Sequence, residues 1–242
     1  MSNDFILKRA EKFLGTMCKK NDRIDYDLAK FIDHTLLKAD ATSEEIMRLC
    51  EEALEYRFAS VCVNPTNLKL VSQKLKNSGV KSVAVVGFPL GASTTSVKSF
   101  EAKEAMVDGA EEIDMVINLG ALKARDYQKV YIDIRSVVEI AQFRPVKTII
   151  ETSYLSQEEK IVACIVAKTA GAAFIKTSTG FAQGGATVED IQLIRSIIGK
   201  DMLIKASGGI KTRQDASKMI EAGANRIGAS ASINIVTKSS IN

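Results

Sequence analysis

TAGAAFIKTSTG, residues 169–180, holds one full repeat of the fold. Gly171 is placed to stop a helix, since a left-handed C-terminal residue is most easily supplied by glycine. The apolar run AAFI then reads as a short strand, Lys176 stands where that strand should end, and Thr, Ser and Gly carry the chain into a loop. The same order recurs along the sequence. Apolar runs rich in β-branched residues occupy FIDHTLL (31–37), ASVCVN (59–64), SVAVVGF (82–88), EIDMVIN (112–118), VKTIIET (146–152), AAFIKTS (172–178), MLIKAS (202–207) and RIGAS (226–230). Helical patterns separate them, spaced by about 20 to 35 residues, which predicts an α/β fold in which parallel strands close into a (β/α)8 TIM barrel. An open doubly wound sheet fits less well, because the units are near-equal and no G-x-G-x-x-G follows the first strand.

Local signals agree with this reading. Thr42 with Glu45, Ser156 with Glu159, Thr187 with Asp190 and Thr212 with Asp215 each place a capping hydroxyl three residues before an acid, the signature of a helix N-terminus. Pro65, Pro89 and Pro145 fall at strand edges or helix boundaries. Upstream, Phe5, Ile6, Ala10, Phe13, Leu14 and Met17 repeat with helical period over residues 4–19, predicting a helix there. Residues 1–30 are therefore expected to be an N-terminal helical extension packed on the barrel, and residues 31–242 the barrel domain itself. No linker divides the 242 residues, a length at which one closed barrel is common.

Composition narrows the function. The 33 basic and 29 acidic residues are interspersed and give a net charge of +4, so no long basic block marks a nucleic-acid partner. Trp is absent and aromatics make up 6%, which disfavours a stacking platform for single strands. Cys18, Cys50, Cys62 and Cys164 are far apart, a pattern of reduced thiols in an intracellular protein. The single histidine, His34, argues against a zinc centre, and it reads as a packing or site-wall residue. Charges interrupt every apolar run of the N-terminus, so neither a signal peptide nor a membrane span is expected. The cytoplasm is the expected compartment, with no metal or cofactor.

In such barrels chemistry sits at the C-terminal ends of the strands. Lys176 ends strand six, Lys205 ends strand seven, and Asp114 lies within strand four. A single lysine at a strand end commonly snorkels to water. Two on adjacent strands are different: as neighbours they oppose each other's protonation. An ordinary lysine leaves roughly one molecule in 2,500 as free amine at neutral pH; lowering its pKa by about three units, at a cost of about 4 kcal/mol, makes a nucleophile able to form a Schiff base. Asp114, between Ile113 and Met115, is expected to be interior and to need a partner. Gly208 and Gly209 follow strand seven, Gly228 and Ser230 strand eight, and Gly180 strand six; these loops can bring backbone N–H groups close to an anion, helped by the helix near Thr212 and by Lys211. A phosphorylated carbonyl substrate is implied.

FIKTSTGF, EIDMVIN, KASGGIKT, VKTIIET and RIGAS, with IDHTLL and VCVNP upstream, resemble the 2-deoxyribose-5-phosphate aldolases from about residue 30 to residue 236. The resemblance implies a class I aldolase that interconverts 2-deoxy-D-ribose 5-phosphate with acetaldehyde and D-glyceraldehyde 3-phosphate. It makes Lys176 the Schiff-base lysine, Lys205 the second lysine and Asp114 the acid that moves protons with a water. Asp33 is similar to an aspartate that pairs with the second lysine. Cys62, Lys147 and Thr179 match pocket positions, and Gly180, Gly208, Gly209, Lys211, Gly228 and Ser230 match the phosphate cradle. The sequence departs from the family at Ala231, where many members carry a second serine, at Lys211, where arginine is frequent, and at Phe181, which is lysine in some. The tail reads TKSSIN where some relatives end in tyrosine. Partners are expected to be phosphosugar and aldehyde, with a homodimer left open. Two competing readings are another Schiff-base barrel aldolase or transaldolase, and a catalytically silent phosphosugar-binding barrel.

Overall fold

A computed structural model describes residues 23–238. The helix expected over residues 4–19 and the position of Cys18 lie outside the described residues. Among those described, eight parallel strands close on themselves in chain order: β1 (Ile32–Leu36), β2 (Ser60–Val63), β3 (Lys81–Val86), β4 (Glu112–Val116), β5 (Val146–Ile149), β6 (Phe174–Lys176), β7 (Leu203–Ser207) and β8 (Arg226–Ala229). The crossover helices are α1 (Ser43–Tyr56), α2 (Leu68–Lys74), α3 (Thr95–Val107), α4 (Tyr127–Ala141), α5 (Gln157–Thr169), α6 (Val188–Ile198), α7 (Arg213–Glu221) and α8 (Ser232–Val236). The (β/α)8 barrel expected from the sequence is the fold observed. Closure leaves the sheet without edges, so every strand keeps both neighbours.

The capping pairs act as read. Thr42, Ser156 and Thr212 each form a reciprocal capping box with the acid three residues on, and Thr187 accepts from the Asp190 N–H. Strand alternation then sorts the side chains. Ile32, Val61, Ile113, Ile175, Ile204 and Ile227 are buried in the layer between strands and helices, each worth roughly 1.5–3 kcal/mol of transfer free energy. Inside the barrel a smaller apolar group, Cys62, Val83 and Val85 with Leu37 and Phe88, fills the side formed by β1 to β3. The other side of the interior is charged.

Two strand ends differ from the sequence reading. β7 runs on to Ser207, so Lys205 is a mid-strand residue rather than the last one, and Gly228 with Ala229 lies inside β8 rather than after it. Register explains both: Lys176 pairs with Lys205, and Lys205 with Arg226, so the strands must extend far enough to hydrogen-bond their neighbours. Outside the barrel Arg23–Ile24 pairs antiparallel with Thr237–Lys238, joining the segment before β1 to the one after α8.

Candidate active site

Lys176 closes β6 at the mouth of the barrel, where the residue is 2% exposed. Its Nζ donates to Asp114 Oδ2 at 2.8 Å, and Lys205 Nζ donates to the same oxygen at 2.8 Å. The two nitrogens therefore lie within two hydrogen-bond lengths of each other, as adjacency of β6 and β7 requires. They do not face each other bare: a carboxylate stands between them. Lys147 Nζ occupies the other Asp114 oxygen, Oδ1, at 2.8 Å, and the Cys62 thiol approaches Oδ2 at 3.9 Å.

Below this layer the charges continue. Lys205 Nζ lies 2.5 Å from Asp33 Oδ2, and Lys147 Nζ 2.5 Å from Glu112 Oε2; both contacts are ion pairs off the hydrogen-bond direction. Arg226 spans the gap, with one guanidinium nitrogen on Asp33 Oδ1 and the other on Glu112 Oε1 at 2.8 Å. Taking buried ions out of water costs several kcal/mol each. Opposite unit charges 2.8 Å apart attract by about 6 kcal/mol at an effective dielectric constant of roughly 20, so the cluster holds only because each member has at least one close counter-charge.

The protonation states follow. Burial alone pushes the Asp114 carboxyl up, but Lys147, Lys176 and Lys205 hold it well below the usual carboxylate range. Asp33 is depressed in the same way, against burial, by Lys205 and Arg226. Burial pushes Lys205 down, and Asp114 and Asp33 more than reverse this, so it is raised above the usual lysine value. Lys147 is raised against burial by Asp114 and Glu112. The Cys62 thiol, pushed up to about 11 by burial and by Asp114, stays neutral.

Above the cluster opens a cavity of about 340 Å3 whose wall includes Lys176, Thr179, Gly180, Gly208, Gly209, Lys211, Gly228 and Ser230; Cys62 and Lys147, expected as pocket positions, instead contact Asp114 in the cluster beneath and are not part of this wall. Lys38, Thr35, Leu37 and Phe181 also line it, and its lining contains three lysines and no carboxylate. Such a wall favours an anion. Gly208 and Gly209 hold φ of +85° and +78°, a left-handed pair that glycine adopts without strain. The helix expected to point at the anion, α7, spends its capping box on Asp215, which accepts from the Lys211 and Thr212 N–H groups. Phe181 stands edge-on to Phe88, centroids 5.2 Å apart, and gives the mouth an aromatic rim. A hollow of about 470 Å3 between Ser72, Lys76, Lys81 and Glu111 lies at the N-terminal ends of β3 and β4, remote from the cluster.

Gly228 does more than line the cavity. A methyl group there would stand 2.9 Å from Lys205 Cε and 3.0 Å from Ser207 Cβ, too close for either neighbour to stay. Gly228→Ala is expected to displace the Lys205 ammonium and to cost about 1–3 kcal/mol, read as a lower urea midpoint at unchanged slope together with reduced turnover. A variant with wild-type midpoint and rate would show that β8 yields instead.

Three groups escaped the sequence reading. Glu112 and Arg226 complete the charged cluster, and Glu151, in a left-handed conformation at φ 50° and buried, accepts from both the N–H and the hydroxyl of Thr179. That bond anchors the loop after β6. His34 lies outside the site: its ring contacts Glu52 Oε2 and Ser232 Oγ, each at 2.8 Å, and packs on Phe58 between β1, α1 and α8. It is the packing residue expected. Cys50, Cys62 and Cys164 are buried free thiols.

Among the described residues no helix is long and apolar enough to cross a membrane. The description "DeoC/LacD family aldolase" matches residues 28–238. The chain is 57% identical over 214 residues to the deoxyribose-phosphate aldolase of Thermococcus kodakarensis, covering 87% of this chain and 96% of that protein. Against the deoxyribose-phosphate aldolase of Clostridium perfringens (strain SM101) it is 58% identical over 209 residues, 86% of this chain and 93% of that one. Among solved structures, the deoxyribose phosphate aldolase of Aeropyrum pernix, described as a unique tetramer, superposes with a TM-score of 0.82 at 33% identity, covering 87% of this chain and 90% of that one.

Proposed function

The chain belongs to the DeoC/LacD family of aldolases, and on that premise we propose that it is a class I aldolase which reversibly cleaves 2-deoxy-D-ribose 5-phosphate to D-glyceraldehyde 3-phosphate and acetaldehyde, with Lys176 as its reacting amine. One observation carries the choice of Lys176: of the three lysines on Asp114, it is the one that lines the mouth cavity.

The Lys176 amine adds to C1 of the open-chain sugar and loses water, giving a protonated imine. The C2–C3 bond breaks and its electron pair flows into the imine, leaving an enamine, while the C3 hydroxyl gives up its proton as the new aldehyde forms. Asp114, reached through a water, receives that proton. Held so far below the usual range by its lysines, Asp114 passes protons on rather than storing them. D-glyceraldehyde 3-phosphate leaves, the enamine takes a proton at C2, and water releases acetaldehyde and the free amine. Lys205, kept cationic by Asp114 and Asp33, and Lys147 hold Asp114 in place; Cys62 walls the neutral side. At the other end the wall of Thr179, Gly180, Gly208, Gly209, Gly228 and Ser230, with Lys211 and Lys38, takes the phosphate, and Phe181 at the rim leaves that grip with one cation fewer than a lysine would give. We further propose residues 31–242 as the working barrel, the cytoplasm as its compartment and a homodimer as one assembly compatible with it.

The test is chemical trapping. Borohydride added with acetaldehyde should reduce the imine, fix a two-carbon label on Lys176 and abolish activity. A label recovered on another lysine, or none, overturns the assignment.

A further inference from the structure

The buried charges beneath Lys176 form a closed circuit. Start at Asp33: it pairs with Lys205, Lys205 with Asp114, Asp114 with Lys147, Lys147 with Glu112, Glu112 with Arg226, and Arg226 returns to Asp33. This is a closed ring of six in which acids and bases strictly alternate. Lys176 is outside it, attached through Asp114 alone. The ring is electrically balanced by itself, so Lys176 is the seventh and surplus cation.

We infer that Glu112 and Arg226, which lie below the substrate cavity and line none of it, are positioning residues that set the charge of the reacting amine by closing this ring: with both present, every acid of the ring keeps a cation when Lys176 gives up its proton. The inference rests on Lys176 being the reacting amine. Each strand around it is accounted for. β4 contributes Asp114 and Glu112, β5 Lys147, β7 Lys205, β8 Arg226 and β1 Asp33, all ring members. β2 contributes Cys62, a neutral thiol, and β3 only Val83 and Val85. Among the described residues, the remaining charges near Lys176 are Glu151, a buried acid in the loop after β5 that accepts from Thr179 rather than from a ring member, and the exposed wall lysines Lys38 and Lys211.

The two residues therefore act with opposite sign. Without the Arg226 cation, three acids face two ring cations, and Lys176 is retained as ammonium to make up the deficit. Without the Glu112 charge, the ring itself carries a surplus cation, which repels a proton on Lys176. A residue that merely props the barrel has no reason to show this symmetry.

The experiment is the pH dependence of kcat/KM for 2-deoxyribose 5-phosphate in four variants of the full chain. Glu112→Gln should move the acid limb down by about one pH unit, and Arg226→Met should move it up by about as much. Combining the two restores balance, and the limb should return to its wild-type position. Arg226→Lys keeps the charge, so its limb stays put even where its rate falls. Limbs that move together, or that fail to move, overturn the inference. Should Arg226→Met not fold, Glu112→Gln and Arg226→Lys decide it alone, since the first must shift and the second must not. Borohydride trapping with acetaldehyde above the limb keeps the two ideas apart: a label on Lys176 in every variant with unmoved limbs rejects the ring, whereas no label on Lys176 in the wild type rejects the aldolase assignment.

Discussion

Lys176→Met is expected to lower kcat by on the order of 10^4-fold or more, because the other two lysines of the cavity wall, Lys38 and Lys211, are exposed and neither pairs with Asp114, and removal of a covalent nucleophile is not made good by binding alone. Its effect on stability should be small. The ring of six stays balanced without Lys176, Asp114 keeps Lys147 and Lys205, and methionine fills most of the lost volume in an interior that tolerates it. A circular-dichroism melt within a few degrees of wild type alongside lost turnover is the expected pair of results. Turnover persisting above about a hundredth of the wild-type value would mean that another amine carries the chemistry.

Lys205→Met should behave in the opposite way, failing in both respects. Lys205 is fully buried and is a direct partner of both Asp33 and Asp114. Breaking a buried charge pair by removing one partner typically costs about 3–5 kcal/mol, a large part of the margin of an ordinary domain. Activity should fall by about 10^3-fold or more, and what remains should appear only at higher pH, since Lys176 then serves as the missing counter-ion. An unmoved pH–rate profile, or a melt like wild type, would refute this. The pH dependence of stability adds a check. Asp33 and Asp114 are depressed in the folded protein, so their contribution is present above the ordinary carboxylate value of about 4 and is lost as pH falls further. Lys205 is raised, so its contribution is complete below the ordinary lysine value of about 10.4 and is lost only as pH rises beyond it. Urea unfolding of the wild type should thus have a plateau between these limits, and the plateau of Lys205→Met should lie lower throughout.

The barrel was legible because each βα unit repeats the same local physics, as in TAGAAFIK, where a glycine stop, a β-branched run and a polar loop follow in order. Lys176, Asp114 and the glycine loops were legible because strand order converts sequence position into a place at the mouth. Glu112 and Arg226 were not. Each sits beside a polar neighbour, Glu111 and Asn225, and locally reads as a solvated strand edge; their meeting at 2.8 Å across 114 residues is a property of barrel closure. Lys205 was placed at a strand end for a related reason: a local run cannot reveal how far the adjacent strand continues to supply hydrogen bonds. Glu151 was hidden by its left-handed backbone, which no residue-type preference predicts for a glutamate.

The pairing of Lys176 with Lys205 in the strand register also governs how this protein can vary. Inserting a single residue into β6 would turn every later side chain of that strand to the opposite face and advance the backbone by about 3.3 Å, so the amine has no intermediate settings. The loops after β6, β7 and β8 face no such rule and can lengthen or shorten at modest entropic cost. Recognition can therefore drift through indels while the bond-breaking step stays where it is.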